Sequence, residues 1–205
     1  MVFPAPAPAP APAGNLDVAD QWANLRLIAL VGLPAVGKST IGRRLAALLG
    51  RAFYDTDDVV EATTGRSIAS IFEQDGELRF RDFETRALEQ IEQLQEASVI
   101  ATGGGIVTAE PSRRFLTNRT FAVYLRSPPG RLLTRLGRSN RRPMFRSGDV
   151  AKKIADLHTQ RDPLYRAVAR LEVDVDRLTT ASLVLRILER LPHVSPGPDA
   201  VSQEP

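Results

Sequence analysis

Runs of apolar residues predict a strand at Leu25–Val31 and at four further places along the chain. The four further runs are Ala52–Asp55, Val99–Ala101, Thr120–Leu125 and Leu171–Val175. Between the strands the apolar positions recur with helical spacing, first from Ser39 to Leu49, where Gly50 ends the helix. This repeated alternation predicts an α/β fold with a parallel sheet covered by helices on both faces.

Two helical segments are predicted between the second and third strands. Ser67 is a candidate N-cap for a short helix through Phe72. Beyond it, helical spacing relates five apolar residues: Leu78, Phe83, Ala87, Ile91 and Leu94. Ligands of parallel sheets bind at the carboxyl ends of the strands, and Gly32, Asp55 and Gly103 fall there. We therefore expect the functional site at that edge of the sheet.

The two ends of the chain differ in composition from its middle. Pro4–Ala13 alternates proline and alanine, and residues 192–205 are rich in Pro, Ser and Gly. Neither end carries an apolar face that folding could bury. We predict disordered tails at residues 1–24 and 192–205 and one folded domain at residues 25–191.

Composition limits the class of protein. The chain has 205 residues, no cysteine and no apolar run near the ~18 residues of a membrane span. It also lacks a secretory signal at its start, so we expect a cytoplasmic protein without a membrane partner. The net charge is only +3, and 24 of the 27 basic residues are scattered arginines. This favours arginines that bind carboxylates or phosphates over a nucleic-acid surface.

The strongest motif is Gly32–Ser39, which matches the P-loop pattern G-x-x-x-x-G-K-[ST]. It follows an apolar strand and precedes a helical period, which is the context that the motif requires. Backbone N–H groups of such a loop cradle phosphates, Lys38 contacts the β- and γ-phosphates, and Ser39 ligates Mg²⁺. The predicted ATP-binding residues here are Ala35, Val36, Gly37, Lys38, Ser39 and Thr40.

A P-loop alone leaves GTPase switches, motors and kinases open. The chain contains neither an N-K-x-D nor a D-x-x-G element, so a GTP switch is disfavoured. Asp55 and Asp57 follow the second strand. One carboxylate can support Mg²⁺ while the other faces an acceptor hydroxyl, which favours a compact phosphotransferase.

The chain resembles the shikimate kinase family in seven ordered blocks over about residues 27–191. The blocks are GLPAVGKSTIGRRLA, DTDDVVE, TGRSI with IF, DGE with FRDFE, ATGGGIV, RRPMF and RDPLYR. The resemblance implies a P-loop NTPase-type three-layer α/β/α sandwich with a mobile lid at about residues 137–148. It also implies transfer of the γ-phosphoryl group of ATP to the 3-hydroxyl of shikimate. One departure is Ala35-Val36, where the family usually has glycine and a small residue.

The resemblance further implies a role for each matched residue. The implied catalytic residues are Lys38, Asp57 and Arg142, with Asp57 bonded to the reacting hydroxyl. Ser39 and Asp55 would hold Mg²⁺. The implied shikimate-binding residues are Asp57, Arg81, Gly103, Gly104, Gly105 and Arg161, with the two arginines on the carboxylate. Arg135, Arg142 and Arg177 would complete the ATP site.

Other readings of these residues stay open at this point. Arg81 could be an exposed helix arginine, Arg161 could pair with Glu172, and the triple glycine could be a plain turn. Another small P-loop kinase, such as a gluconate kinase, is the nearest alternative enzyme. A catalytically inactive nucleotide-binding regulator is the alternative outside enzymes. We expect ATP, Mg²⁺ and shikimate as the ligands of a monomeric chain.

Overall fold

Five parallel strands form the central sheet of the structure, a computed structural model that describes residues 25–136, 149–176 and 178–191. The strands are β1 Leu27–Val31, β2 Ala52–Asp55, β3 Ser98–Ala101, β4 Phe121–Arg126 and β5 Leu171–Asp174. Their order across the sheet is β2-β3-β1-β4-β5. The predicted tails and the predicted lid at residues 137–148 lie outside the described residues.

Helices flank the sheet, which confirms the predicted P-loop α/β fold. They are α1 Lys38–Leu49, α2 Thr56–Thr64, α3 Ile68–Gln93, α4 Glu110–Arg119, α5 Pro129–Leu136, α6 Val150–Val168 and α7 Thr180–Leu188. A short 3₁₀ helix at Ile106–Thr108 precedes α4. In the part of the chain that the structure describes, no helix has the length and apolar character to cross a bilayer.

The order of the strands positions the site. From β1 the chain crosses to β2 at one edge, and from β3 it passes over β1 to reach β4 on the other side. Connections from β1 and β3 therefore leave in opposite directions, and a crevice opens at the carboxyl ends of these neighbouring strands. β1 is buried over its whole length, which explains its unbroken apolar run.

Helix α3 differs from its prediction in one respect. Ser67 caps it as expected by accepting a hydrogen bond from Ser70 N at 3.2 Å. Gly76, with φ 78° and ψ 175°, breaks the helical path inside the span. Leu78 is 86% exposed, so its predicted place on the apolar face is wrong. It lies nine residues before the buried Ala87, which at about 100° per residue is the opposite side of the helix.

Helix α2 was not predicted from the apolar pattern, because its signals are polar. Asp55 ends β2 and caps α2, accepting a hydrogen bond from Asp57 N at 3.2 Å. Gly65 ends the helix in the left-handed conformation with φ 66°. The Asp55–Asp57 pair therefore lies on a strand-to-helix junction at the crevice.

Candidate active site

The P-loop joins β1 to α1 and packs tightly against β4. Gly32 has φ 145°, and a methyl group there would meet Leu125 O at 2.6 Å, so only glycine fits. The Lys38 side chain is buried, and its Nζ donates to Gly32 O at 2.8 Å and Leu33 O at 2.9 Å. The lysine ammonium group therefore lies over the loop that would hold the phosphates.

Ala35 occupies the position at which the sequence departs from the family pattern. Its φ of 64° lies in the left-handed region, where an L-residue is destabilised by roughly 1–2 kcal/mol. Glycine adopts that conformation without a steric penalty, which explains why it suits this position. The loop keeps its fold around Ala35 because Gly32 and Gly37 supply the other left-handed turns.

Ser39 and Asp55 meet at the start of α1. Ser39 Oγ donates to Asp55 Oδ2 at 2.6 Å. Hydroxyl and carboxylate oxygens are the ligands that Mg²⁺ prefers, and phosphates and water usually complete its shell. Over the described ranges, no group of three or more His, Cys, Asp or Glu side chains could hold a metal alone. This donor set therefore fits a Mg²⁺ ion that arrives with a nucleotide.

The triple glycine after β3 contacts both the P-loop and the residues predicted to bind the acceptor. A methyl group on Gly103 would meet Glu84 Oε1 at 2.0 Å and Asp57 Oδ1 at 3.0 Å. One on Gly104 would meet Cδ of Pro34 at 2.8 Å, and one on Gly105 would meet Nη2 of Arg81 at 2.1 Å. Each glycine thus admits a different neighbour, and a side chain at any of the three positions would displace it.

Hydrogen bonds fix the orientation of this glycine turn. Gly103 N donates to Thr56 Oγ1 at 2.9 Å, and Ile106 N donates to Gly103 O at 3.3 Å. The Gly104 carbonyl accepts from both Arg161 Nη1, at 3.0 Å, and the Tyr165 hydroxyl. Gly104 is a buried residue, and its N–H meets no acceptor among the described residues. It is therefore a donor that a ligand could satisfy.

The two arginines predicted for the carboxylate are both held beside this turn. Arg161 is 7% exposed, and the Arg81 side chain is 11% exposed. Within the described residues each has a buried Nε without a hydrogen-bond partner. An exposed Arg81 is therefore wrong, and so is an Arg161–Glu172 pair, since Glu172 pairs with Arg126 and Arg166.

Arg81 is oriented by two carboxylates of its own helix. Its Nη1 lies 2.5 Å from Glu84 Oε2, and its Nη2 lies 2.6 Å from Glu77 Oε1. Glu84 is fully buried, whereas the Glu77 side chain is 57% exposed. Burial raises the pKa of the Glu84 carboxyl to about 7, since desolvation outweighs the attraction of Arg81 and the charge of Asp57 adds to the rise.

Sequence reasoning missed Glu84 and Tyr165. Glu84 belongs to the FRDFE block, three residues after Arg81, and Tyr165 belongs to the RDPLYR block, four residues after Arg161. Helical neighbours at these spacings share a face, which was the available signal. Burial raises the pKa of the Tyr165 hydroxyl, so it stays protonated and donates to Gly104. Its ring stacks on Tyr124 with centroids 5.0 Å apart.

Several predicted residues are not placed by the structure. Arg142 and Arg177 lie outside the described residues. Arg135 belongs to helix α5, but its side chain is also outside the described part. Thr40 lies exposed in the first turn of α1. The fold brings the other predicted residues to one edge of the sheet: the P-loop, the Ser39–Asp55 pair, Asp57, the glycine turn and the two arginines predicted for the carboxylate.

Comparisons with known proteins agree with this geometry. A model of the shikimate kinase family matches residues 34–192. The shikimate kinase of Chromohalobacter salexigens is 44% identical over 171 residues, covering 83% of this chain and 94% of that protein. That of Acinetobacter baumannii is 42% identical over 162 residues, covering 79% of this chain and 89% of that protein.

Two solved structures have the same fold. The structure of shikimate kinase from Acinetobacter baumannii in complex with shikimate has a TM-score of 0.78 and 40% identity, covering 83% of this chain and 95% of that one. The shikimate kinase of Bacteroides thetaiotaomicron has a TM-score of 0.74 and 27% identity, covering 80% of this chain and 96% of that one. On these matches the chain belongs to the shikimate kinase family.

Proposed function

We propose that this site transfers the γ-phosphoryl group of ATP to the 3-hydroxyl of shikimate, giving shikimate 3-phosphate and ADP. The chain is an ATP-dependent kinase by its family. One observation carries the assignment of the acceptor: the glycine turn contacts the P-loop at Pro34, and Asp57, Arg81 and Arg161 lie beside it. A phosphate donor and a small acid can therefore bind on either side of one turn.

The carboxylate of the acceptor is assigned to Arg81 and Arg161. Each carries a buried Nε that lacks a partner among the described residues, and an unpaired buried donor is unfavourable by roughly 1–3 kcal/mol. A carboxylate between the two guanidinium groups satisfies both donors through charge-assisted hydrogen bonds. The Gly104 N–H supplies a further donor to the acceptor. Together these donors would hold the bound acid in one orientation.

Asp57 is assigned to the reacting hydroxyl. Its Oδ1 lies against Gly103, between the start of α2 and the glycine turn. There it can accept the hydroxyl hydrogen bond and hold the oxygen in line with the phosphoryl group. A loose transition state needs little removal of the proton before transfer, so orientation is the larger part of this role.

ATP is assigned to the P-loop, with Lys38 on the β- and γ-phosphates and Ser39 and Asp55 holding Mg²⁺. When bound, Mg²⁺ neutralises charge between the phosphates. The Lys38 ammonium group bonds the Gly32 and Leu33 carbonyls and so lies at the loop that would hold the phosphates. Arg135, Arg142 and Arg177 are proposed for the nucleotide from the sequence resemblance alone.

Action as a monomer stays a prediction. A cytoplasmic location stays a prediction.

The experiment that tests the proposal is ADP release with three acceptor conditions: shikimate, gluconate and no acceptor. We expect release that depends on shikimate and saturates with it, with gluconate close to the blank. A gluconate rate that equals the shikimate rate would contradict the acceptor assignment. ADP release that no acceptor stimulates, from a chain that binds ATP, would favour a nucleotide-binding regulator.

A further inference from the structure

Glu84 is a buried acidic group to which the proposed phosphoryl transfer assigns no role. It lies on α3 with no exposed surface, and its Oε2 accepts from Arg81 Nη1 at 2.5 Å. Its other oxygen, Oε1, is buried without a hydrogen-bond partner among the described residues. Glu84 Oε1 and Asp57 Oδ1 flank the same side of Gly103. One carboxylate oxygen is therefore poised to carry a proton.

Charged groups act on Glu84 from three helices. Arg81 lies on its own helix, Asp57 faces it from α2, and Arg161 faces it from α6. The hydroxyl of Tyr165 on α6 also interacts with it, and the facing glycine turn carries no charge. Because Glu77 also pairs with Arg81, the described residues already set three carboxylates against two guanidinium groups before any acid binds.

A bound carboxylate would add a further negative charge to this group. Glu84, Asp57 and the ligand would then compete for Arg81 and Arg161, and uncompensated buried charge is strongly unfavourable. Arg81 would have to divide its charge between Glu84 and the ligand. Glu84 is the group best placed to relieve the excess, since it is fully buried and already has an oxygen without a partner.

We propose that binding of the carboxylate-bearing acceptor is coupled to uptake of one proton from solvent by Glu84. The proton forms an O–H bond at Oε1, and no covalent bond to the ligand forms or breaks. Arg81 then pairs with the carboxylate of the acid. This inference rests on the proposed function, because it places the acid between Arg81 and Arg161. The pKa of about 7 in the chain without acid supports it, since an added anion raises that pKa further.

The proton count has a definite expected size. At pH 8 a carboxyl with a pKa near 7 is about nine-tenths ionised, so full protonation on binding takes up to about 0.9 proton. We expect about 0.5–0.9 proton per shikimate bound. The same linkage weakens shikimate binding by about 3- to 6-fold between pH 7 and pH 8.

The test is calorimetric titration of the full chain with shikimate at pH 8, without ATP, in buffers of different ionisation enthalpy such as HEPES, Tricine and Tris. The slope of the observed heat against the buffer ionisation enthalpy gives the number of protons taken up. Glu84→Gln should bring this slope close to zero while shikimate still binds. Glu77→Gln is the matched control, since Glu77 pairs with the same arginine but is exposed, and it should keep the native slope.

The outcomes separate this inference from the proposed function. Clear shikimate binding with a slope of zero in the native chain would overturn the proton coupling and leave the kinase assignment standing. An unchanged slope in Glu84→Gln would assign the proton to another group and also overturn it. If Glu84→Gln fails to fold, the native chain still tests the proton coupling. Its calorimetric slope and the loss of its affinity for shikimate from pH 7 to pH 8 are then the two readouts. A native chain that binds no shikimate would overturn the proposed function itself.

Discussion

Replacing Gly105 by alanine would place a methyl group against the guanidinium of Arg81. The new carbon would lie 2.1 Å from Nη2 and 2.3 Å from Cζ, whereas ordinary contact begins at 3.4 Å. The far end of a flexible side chain can retreat, so the guanidinium should move by about 1.3 Å while the fold survives. Misplacement of a positioning group by about 1 Å can reduce activity about 100-fold.

We therefore expect Gly105→Ala to raise the KM for shikimate by about 10- to 100-fold. The KM for ATP should stay within about twofold, since Gly105 lies on the acceptor side of the turn. The assay is ADP release with each substrate varied in turn. Gly130→Ala is the control, because a methyl group there meets nothing within 4 Å. An unchanged KM for shikimate, or an equal rise in both KM values, would refute the placement of Arg81.

Three further predictions follow from individual residues. Ala35→Gly should leave the free energy of unfolding in urea unchanged or raise it by up to about 1 kcal/mol. The control Ala62→Gly, on the exposed face of α2, should lower it by about 0.5–1 kcal/mol. Equal losses in the two variants would show that Ala35 is not strained. Glu84 has a folded pKa of about 7 against 4.5 for its ordinary value, so its stabilising contribution is complete below pH 4.5 and is lost as the pH rises through 7. Between pH 4.5 and pH 7.5 the free energy of unfolding of the native chain should thus fall by up to about 3 kcal/mol relative to that of Glu84→Gln. Parallel profiles of unfolding free energy against pH would contradict the raised pKa of Glu84. Asp57→Asn should lower kcat by about 100-fold at saturating substrates with ATP affinity retained, and turnover near the native value would remove Asp57 from the chemistry.

The apolar pattern predicted the architecture well, because the sheet is buried. β1 and β4 are covered on both faces, so their runs of apolar residues are unbroken and easily recognised. Leu78 shows where that signal failed. Leu78 lies on the same helical segment beyond Gly76 as Phe83 and Ala87, but it is five residues before Phe83, an offset of about 140°, so its spacing already placed it off the buried face.

The candidate site was predicted only in part, because much of it depends on contacts between distant segments. The P-loop and the Asp55–Asp57 pair are local motifs, so residue spacing reveals them. The roles of Glu84 and Tyr165 arise because distant segments meet at the glycine turn. Gly103, which contacts Glu84, lies 19 residues after it, and Gly104, which accepts from Tyr165, lies 61 residues before it. No local pattern encodes a buried oxygen without a partner or a carbonyl that accepts two donors.

The measurement that tests the central claim most directly is the position of the phosphoryl group on the product. The native chain is incubated with ATP, Mg²⁺ and shikimate, and the product is analysed by phosphorus–proton correlation NMR. The account predicts a single phosphomonoester coupled to the proton on carbon 3, formed in equal amount to ADP. A phosphoryl group on another hydroxyl, or ADP formed without a phosphorylated acid, would contradict it.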